Sequence, residues 1–134
     1  MLRSLAERSN GQIILHENVS NMSDYMKDCD VALSAAGSTL YELCACGTPT
    51  ICFEIASNQE GSQIWEDRGY MLYAGNAAKN MDACIKACIE HLMWYSDNYD
   101  KRRRMSCEMQ KLVDGKGSER VAKYINSLLT AGCK

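Results

Sequence analysis

Apolar positions along the chain change period twice, and each change marks a different kind of element. Leu2, Leu5 and Ala6 stand at helical spacing and are followed by Asn10-Gly11, which fits a left-handed cap, so a helix is predicted from Met1 to Ser9. Ile13-Ile14-Leu15 is a continuous apolar run and predicts a short buried strand. A polar loop from Asn18 to Asn21 leads into a short helix from Ser23 to Met26. Asp30 to Ser34 reads as a second strand, Ser38 to Cys46 as a helix ended by Gly47 and Pro49, and Thr50 to Glu54 as a third strand. Beyond the polar loop Ser57 to Glu60, a helix is predicted from Gly61 to Arg68 with Gly69 as its cap, then a fourth, shorter strand from Tyr70 to Tyr73.

After Gly75 only helical periodicity remains. Met81, Cys84, Ile85, Cys88, Ile89, Leu92 and Met93 trace a one-faced helix, and another follows from about Tyr99 to Val113. The turn Asp114-Gly-Lys-Gly117 then leads to Ser118, a good cap for a final helix through Leu129. Strands alternating with helices, closed by helices alone, define an α/β class: a Rossmann-like parallel sheet with helices on both faces, ending in a helical segment. No repeat, linker or low-complexity tract divides the 134 residues, which read as a single domain.

Charge narrows the function. A net charge of −2 argues against nucleic acid, which needs a clustered basic face. The one basic run, Lys101-Arg-Arg-Arg104, lies among Asp97, Asp100 and Glu108 and reads as a solvated helix face. No window approaches the ~20 apolar residues that span a bilayer, and no signal-peptide pattern precedes the first polar run, so a cytoplasmic protein with no membrane span is expected. The eight cysteines do not form a disulfide framework. Cys52 lies in an apolar strand, Cys84 and Cys88 lie on a helix stripe, and Cys133 is expected to be exposed. Cys44-x-Cys46 has no second pair and no nearby histidine, so no metal site is expected. These are read as reduced structural thiols.

The candidate chemistry sits in Asp30-Val-Ala-Leu-Ser-Ala-Ala-Gly-Ser-Thr-Leu-Tyr-Glu42. Parallel sheets bind ligands at the carboxyl ends of their strands. There Ala35-Ala36-Gly37 allows close main-chain approach, Ser38 and Thr39 add hydroxyls, and the following helix directs its positive end at an anion. Glu42, one turn inside, leans back toward that point and is suited to accept ribose hydroxyls. A second reading stands beside this one. Thr39-Leu-Tyr-Glu42 also matches a capping box, in which Thr and Glu only satisfy backbone donors, and Gly37 then serves strand-to-helix packing alone. Asn58-Gln59-Glu60 follows the next strand on the same sheet edge, placed to reach a sugar beside a diphosphate; read alone, these are also ordinary polar loop residues. His16 has no identifiable carboxylate or nucleophile partner and reads as a surface or helix-contacting residue.

Four pieces together resemble the C-terminal half of the UDP-sugar hydrolases of pseudaminic acid biosynthesis and the related spore-coat polysaccharide proteins. These belong to the two-Rossmann-domain (GT-B) glycosyltransferase-like superfamily. The pieces are residues 30–42 as quoted, Gly47-Thr-Pro-Thr50, Asn58-Gln-Glu60 with Trp65 and Gly69-Tyr70, and Val113-Asp-Gly-Lys-Gly117 with Arg120-Val121. The resemblance implies a truncated C-terminal domain of a GT-B-type fold that binds UDP or a UDP-sugar and needs no cofactor. It implies that Gly37, Ser38 and Thr39 hold the diphosphate, that Glu42 binds ribose, that main chain around Asn18 and Val19 meets uracil, and that Asn58 and Gln59 touch the sugar. No catalytic residue is carried over, because the family's proposed base lies in an N-terminal domain without a counterpart in these residues. The first strands of the C-terminal domain also have none, and the family sheet places them between the Ile13 and Val31 strands. A domain in cis, a partner chain, or self-association is therefore expected to complete the molecule. The reading is a nucleotide-sugar-binding half of a UDP-deoxysugar hydrolase, inactive alone. The alternatives are the donor half of a glycosyltransferase with a separate partner chain, and a non-catalytic nucleotide or interaction module.

Overall fold

The computed structural model describes residues 1–131, so Cys133 lies outside the described residues. Seven α-helices and three strands are formed among the described residues: α1 (Leu2–Arg8), α2 (Met22–Asp28), β1 (Ala32–Ala35), α3 (Thr39–Cys46), β2 (Thr50–Glu54), α4 (Ile64–Asp67), β3 (Leu72–Asn76), α5 (Met81–Asp97), α6 (Tyr99–Leu112) and α7 (Gly117–Ala131). A short 3-10 turn, Ser57–Gln59, follows β2. The strands form one parallel sheet in the order β1-β2-β3. Ala32 stands opposite Thr50, and Ile51 opposite Leu72.

Helices cover both faces, as the alternation of strands and helices predicts. Side chains of β2 alternate between two layers, the periodicity any strand imposes. Cys52 packs with Leu40, Leu43 and Cys44 of α3, Met26 of α2 and Met109 of α6. Ile51 and Phe53 pack on the opposite face with Cys84 and Tyr95 of α5. Thr50 and Cys52 are fully buried, so β2 is the centre of the molecule. Tyr95 reaches through the α5 layer, and its hydroxyl donates to the Thr50 carbonyl at 3.0 Å. That bond satisfies a polar tip that burial would otherwise penalise.

The end of α3 shows how sequence sets the chain direction. Gly47 takes φ +71°, and its N–H donates to the Cys44 carbonyl while the Thr48 N–H donates to Leu43, both at 3.0 Å. This is the Schellman arrangement, and Pro49 after it prevents the helix from continuing. From α6, Ser106 donates to the Gly47 carbonyl and Gln110 to that of Cys46. Thr48 returns a bond to the Met26 carbonyl at 2.6 Å, tying α2 to the same corner.

Several expectations are corrected. Ile13-Ile14-Leu15 is neither buried nor a strand: Ile14 is 72% exposed, and no strand forms there. Among the described residues no strand pairs with it. The chain instead folds back on α1, with the Ile13 N–H donating to the Ser9 hydroxyl. The sheet therefore has three strands rather than four. β3 starts later than expected because the Tyr70 and Met71 N–H groups still bond to the Trp65 carbonyl. It also runs past Tyr73 through an irregularity opposite Cys52–Glu54, where Gly75 adopts φ +94°, the bulge geometry that glycine permits. Regular helix within 61–68 is confined to α4, and Ser118 lies one residue inside α7 rather than capping it. The apolar stripe of α5 is only half covered. Cys84 is buried and Cys88 partly so, whereas Ile85, Ile89, Leu92 and Met93 stay at least half exposed. The stripe of α7 (Val121, Tyr124, Ile125, Leu128, Leu129) is exposed as well.

Candidate functional site

The turn between β1 and α3 is held by two backbone bonds. Ala36 donates to the Phe53 carbonyl at 2.8 Å and Gly37 to Ala35 at 2.9 Å. Leu40 and Tyr41 then donate to Gly37 and Ser38, which leaves the Ser38 and Thr39 N–H groups without an acceptor among the described residues. Two amides at the start of an eight-residue helix point outward at the carboxyl edge of the sheet, the arrangement that favours an anion.

Neither side-chain half of the capping box forms. Ser38, the residue that caps α3, makes no side-chain cap bond. Thr39 and Glu42 are exposed, and neither side chain hydrogen-bonds within the described residues. Gly37 is also unexplained by packing: a Cβ built on it meets nothing within 4 Å, and its φ is not positive. Both ordinary reasons for a glycine are missing here, close approach of protein atoms and left-handed backbone. What remains over Gly37 is open space.

That space is a groove of about 460 Å³ lined on one side by Ala36, Gly37, Ser38 and Tyr41 and on the other by Asn58, Gln59, Glu60 and Ser62. The fold thus brings together two predicted pieces that are twenty residues apart, because each follows a parallel strand and so emerges at the same edge. Gln59 is committed in part to its own loop, its Oε1 accepting the Ile55 N–H at 2.8 Å. Thr39 and Glu42 are not among the residues that line the groove. Asn18, in left-handed backbone at φ +54°, and Val19 line neither this groove nor the next.

A second depression of about 500 Å³ adjoins the first, and the two share Tyr41, Ile64 and Trp65. It gathers Tyr70, Arg68 and the segment Val113–Gly117 with Arg120. Asp114 accepts the Lys116 N–H and pairs with Arg120 at 2.7 Å, and the guanidinium hydrogen bond holds its carboxyl down at about 2. Tyr41 and Trp65 meet edge to face, centroids 5.4 Å apart.

Glu54 is a residue of this site that the sequence pattern did not single out. It ends β2 and is 4% exposed. It accepts the Ser62 N–H and the Asn76 amide, each at 3.0 Å. Burial pushes its carboxyl up, but the Ser62, Tyr73 and Asn76 donors together with Lys79 outweigh this and leave it below its usual value. The carboxylate is the anchor of the loop that walls the groove. Its place at the end of an apolar strand is visible in the sequence, but its burial is not.

The histidines stand elsewhere. His16 packs edge to face on Tyr25 of α2, at 4.6 Å, a helix contact as expected. His91 hydrogen-bonds the Tyr73 carbonyl. Neither lines a groove. Cys44 and Cys52 are buried thiols, pushed by burial up to about 11 and about 12, values at which a thiol is inert. No group of three or more metal-ligating side chains is found among the described residues, nor a helix long and apolar enough to cross a membrane. On α6, Lys101 lies over Trp94 and Arg102 over Tyr99, with Arg102 also 3.7 Å from Asp30.

Fold and site define an α/β unit with a groove at the carboxyl edge of its three-stranded parallel sheet. Within the chain, a stretch of 42 residues is 52% identical to part of the pseudaminic acid cytidylyltransferase and UDP-2,4-diacetamido-2,4,6-trideoxy-beta-L-altropyranose hydrolase of Helicobacter pylori. The match covers 31% of this chain and 8% of that protein. No protein-family profile matches the chain, and no solved structure matches it.

Proposed function

We propose that this chain is the UDP-sugar-binding part of a UDP-deoxysugar hydrolase of pseudaminic acid or surface-polysaccharide biosynthesis, inactive by itself. The observation that carries the reading is the open space over Gly37, beside two unpaired amides at a helix start. In this reading the Ser38 and Thr39 N–H groups and hydroxyls receive the diphosphate. Each charge-assisted bond contributes about 1.5–3 kcal/mol, and the helix end adds a few tenths more. The sugar extends toward Asn58 and Gln59, Glu42 meets the ribose, and the main chain around Asn18 and Val19 meets the uracil. The partial identity to a bifunctional protein whose name includes a UDP-sugar hydrolase supports the substrate class.

Hydrolysis requires a base that activates water and a stabilised leaving group. This chain supplies the second requirement. The resembled family's proposed base lies in an N-terminal domain, so in this reading a further domain or a partner chain supplies the base. The reading is tested by calorimetric titration of the purified chain with UDP, using UMP and ADP as controls, and with Gly37→Val. Selective UDP binding that Gly37→Val weakens at least tenfold, in a variant with an unchanged melt, supports the reading. No binding, or binding indifferent to the added side chain, overturns it and leaves an interaction module.

A further inference from the structure

In the loop that walls the groove after β2, hydrogen bonds already decide which end of each key side chain is free. The Ile55 N–H can only donate, so the Gln59 atom that meets it at 2.8 Å is the amide oxygen Oε1. The amide nitrogen Nε2 is the end left over, and it has no acceptor among the described residues. Gln59 lines the groove. Its own main-chain carbonyl is occupied by the Ser62 hydroxyl at 2.6 Å. Glu60, next along, pairs with Lys79 at 3.4 Å.

Glu54 holds this arrangement from behind. It does not line the groove, yet its two carboxylate oxygens take the Ser62 N–H and the Asn76 amide. Asn76 has no choice of orientation, because its Oδ1 accepts the Lys79 N–H at 3.0 Å and so turns Nδ2 toward Glu54. The main-chain carbonyl of Glu54 adds a third tie, accepting the Ala77 N–H at 2.8 Å. Every link between β3 and Gln59 therefore has a fixed polarity. Asn76 and Ser62 donate to Glu54, Ser62 donates again to Gln59, and Ile55 donates to Gln59. A wall fixed in this way offers its free donor without reordering when a guest arrives.

We propose that Glu54 is a positioning residue for the sugar end of the groove, acting through Gln59, which it holds as a donor-only specificity contact. The proposal rests on the UDP-sugar reading above and deepens it. With the diphosphate over Gly37, the Ser38 and Thr39 amides donate from one wall and the Gln59 amide donates from the other. The guest answers Gln59 with an oxygen acceptor, a hydroxyl or carbonyl of its sugar. A sugar without oxygen at that place leaves a fixed donor unpaired, the condition under which polar sites discriminate most strongly. Bare UDP has nothing to offer there, so Glu54 governs the preference for the sugar nucleotide over the nucleotide.

Calorimetric titration with UDP and with UDP-N-acetylglucosamine tests this on the unmodified chain, Glu54→Gln, Gln59→Met and the double variant. Gln59→Met keeps the length of the side chain without charge, and Ile55 is 51% exposed, so its N–H turns to water. Glu54→Gln sets a donor against one of two donors, Ser62 or Asn76. The unmodified chain is expected to bind the sugar nucleotide about fivefold tighter than UDP, the factor that one net hydrogen bond supplies. That ratio is expected to fall to about one in each single variant and no further in the double, because one residue acts through the other. Equal weakening of both ligands by Glu54→Gln marks a merely structural role and overturns the proposal, as do additive losses in the double variant. UDP binding without preference for the sugar nucleotide in the unmodified chain overturns this proposal alone. Binding of neither ligand overturns the UDP-sugar reading with it. If Glu54→Gln does not fold, Asn76→Ala, which removes one of the two side-chain ties to Glu54, must lower the same ratio or the proposal fails.

Discussion

The carboxylate of Glu54 accepts the backbone N–H of Ser62 across 3.0 Å, joining the last residue of the central strand to the loop that forms one wall of the groove. Its second oxygen takes the Asn76 amide from β3. One buried carboxylate thus ties the loop to two strands.

Protonating Glu54 is expected to loosen that loop. Its folded value lies below the unfolded 4.5, so its contribution is complete above about that pH and is lost as pH falls through the lower folded value. Melting temperature followed from neutral pH to about pH 3 should show the gap between wild type and Glu54→Gln narrowing toward acid. A gap constant with pH would mean that the ionised form has no special role.

Gly47→Ala should destabilise the domain by about 1–3 kcal/mol, from left-handed backbone at a non-glycine residue and from a new Cβ 2.7 Å from the Gln110 side chain. Shortening Gln110 to Ala removes the second cause. Denaturant titration of the two single variants and the double should therefore show partial recovery. Simple additivity would place the whole cost in the backbone.

Glu42→Ala separates two roles of one carboxylate. The side chain is exposed and lies in the first turn of α3, so its loss should cost only a few tenths of a kcal/mol of stability. UDP affinity, in contrast, is expected to fall about tenfold, which is close to 1.4 kcal/mol. Loss of more than about 1 kcal/mol of stability with affinity unchanged would assign Glu42 to the helix start instead. Paired thermal melts and calorimetry distinguish the two.

Legibility from sequence followed locality. Thr50–Glu54 and the helix before it could be read to within a residue because burial on both faces, the Gly47 cap and Pro49 are all written in neighbouring positions. Ile13-Ile14-Leu15 could not, because a strand is a relation to a neighbour, and an apolar run without one stays coil. The half-covered stripe of α5 failed for the same reason: periodicity names the face that can be buried, and the width of the layer beneath decides how much is. In the site, the meeting of Gly37–Ser38 with Asn58–Gln59 was legible, since parallel strands deliver both loops to one edge. Glu54 was not, because a carboxylate at a strand end looks the same whether it faces solvent or anchors a loop.

Tyr41 and Trp65 form a partition with a depression on either side. A guest that turns one of these rings to fit its own side redraws the wall of the other. Occupancy of one side is then felt on the other through the shared rings Tyr41 and Trp65 alone. Trp65 lines both depressions, so its fluorescence, read in a Trp94→Phe background, is expected to change when either side is filled.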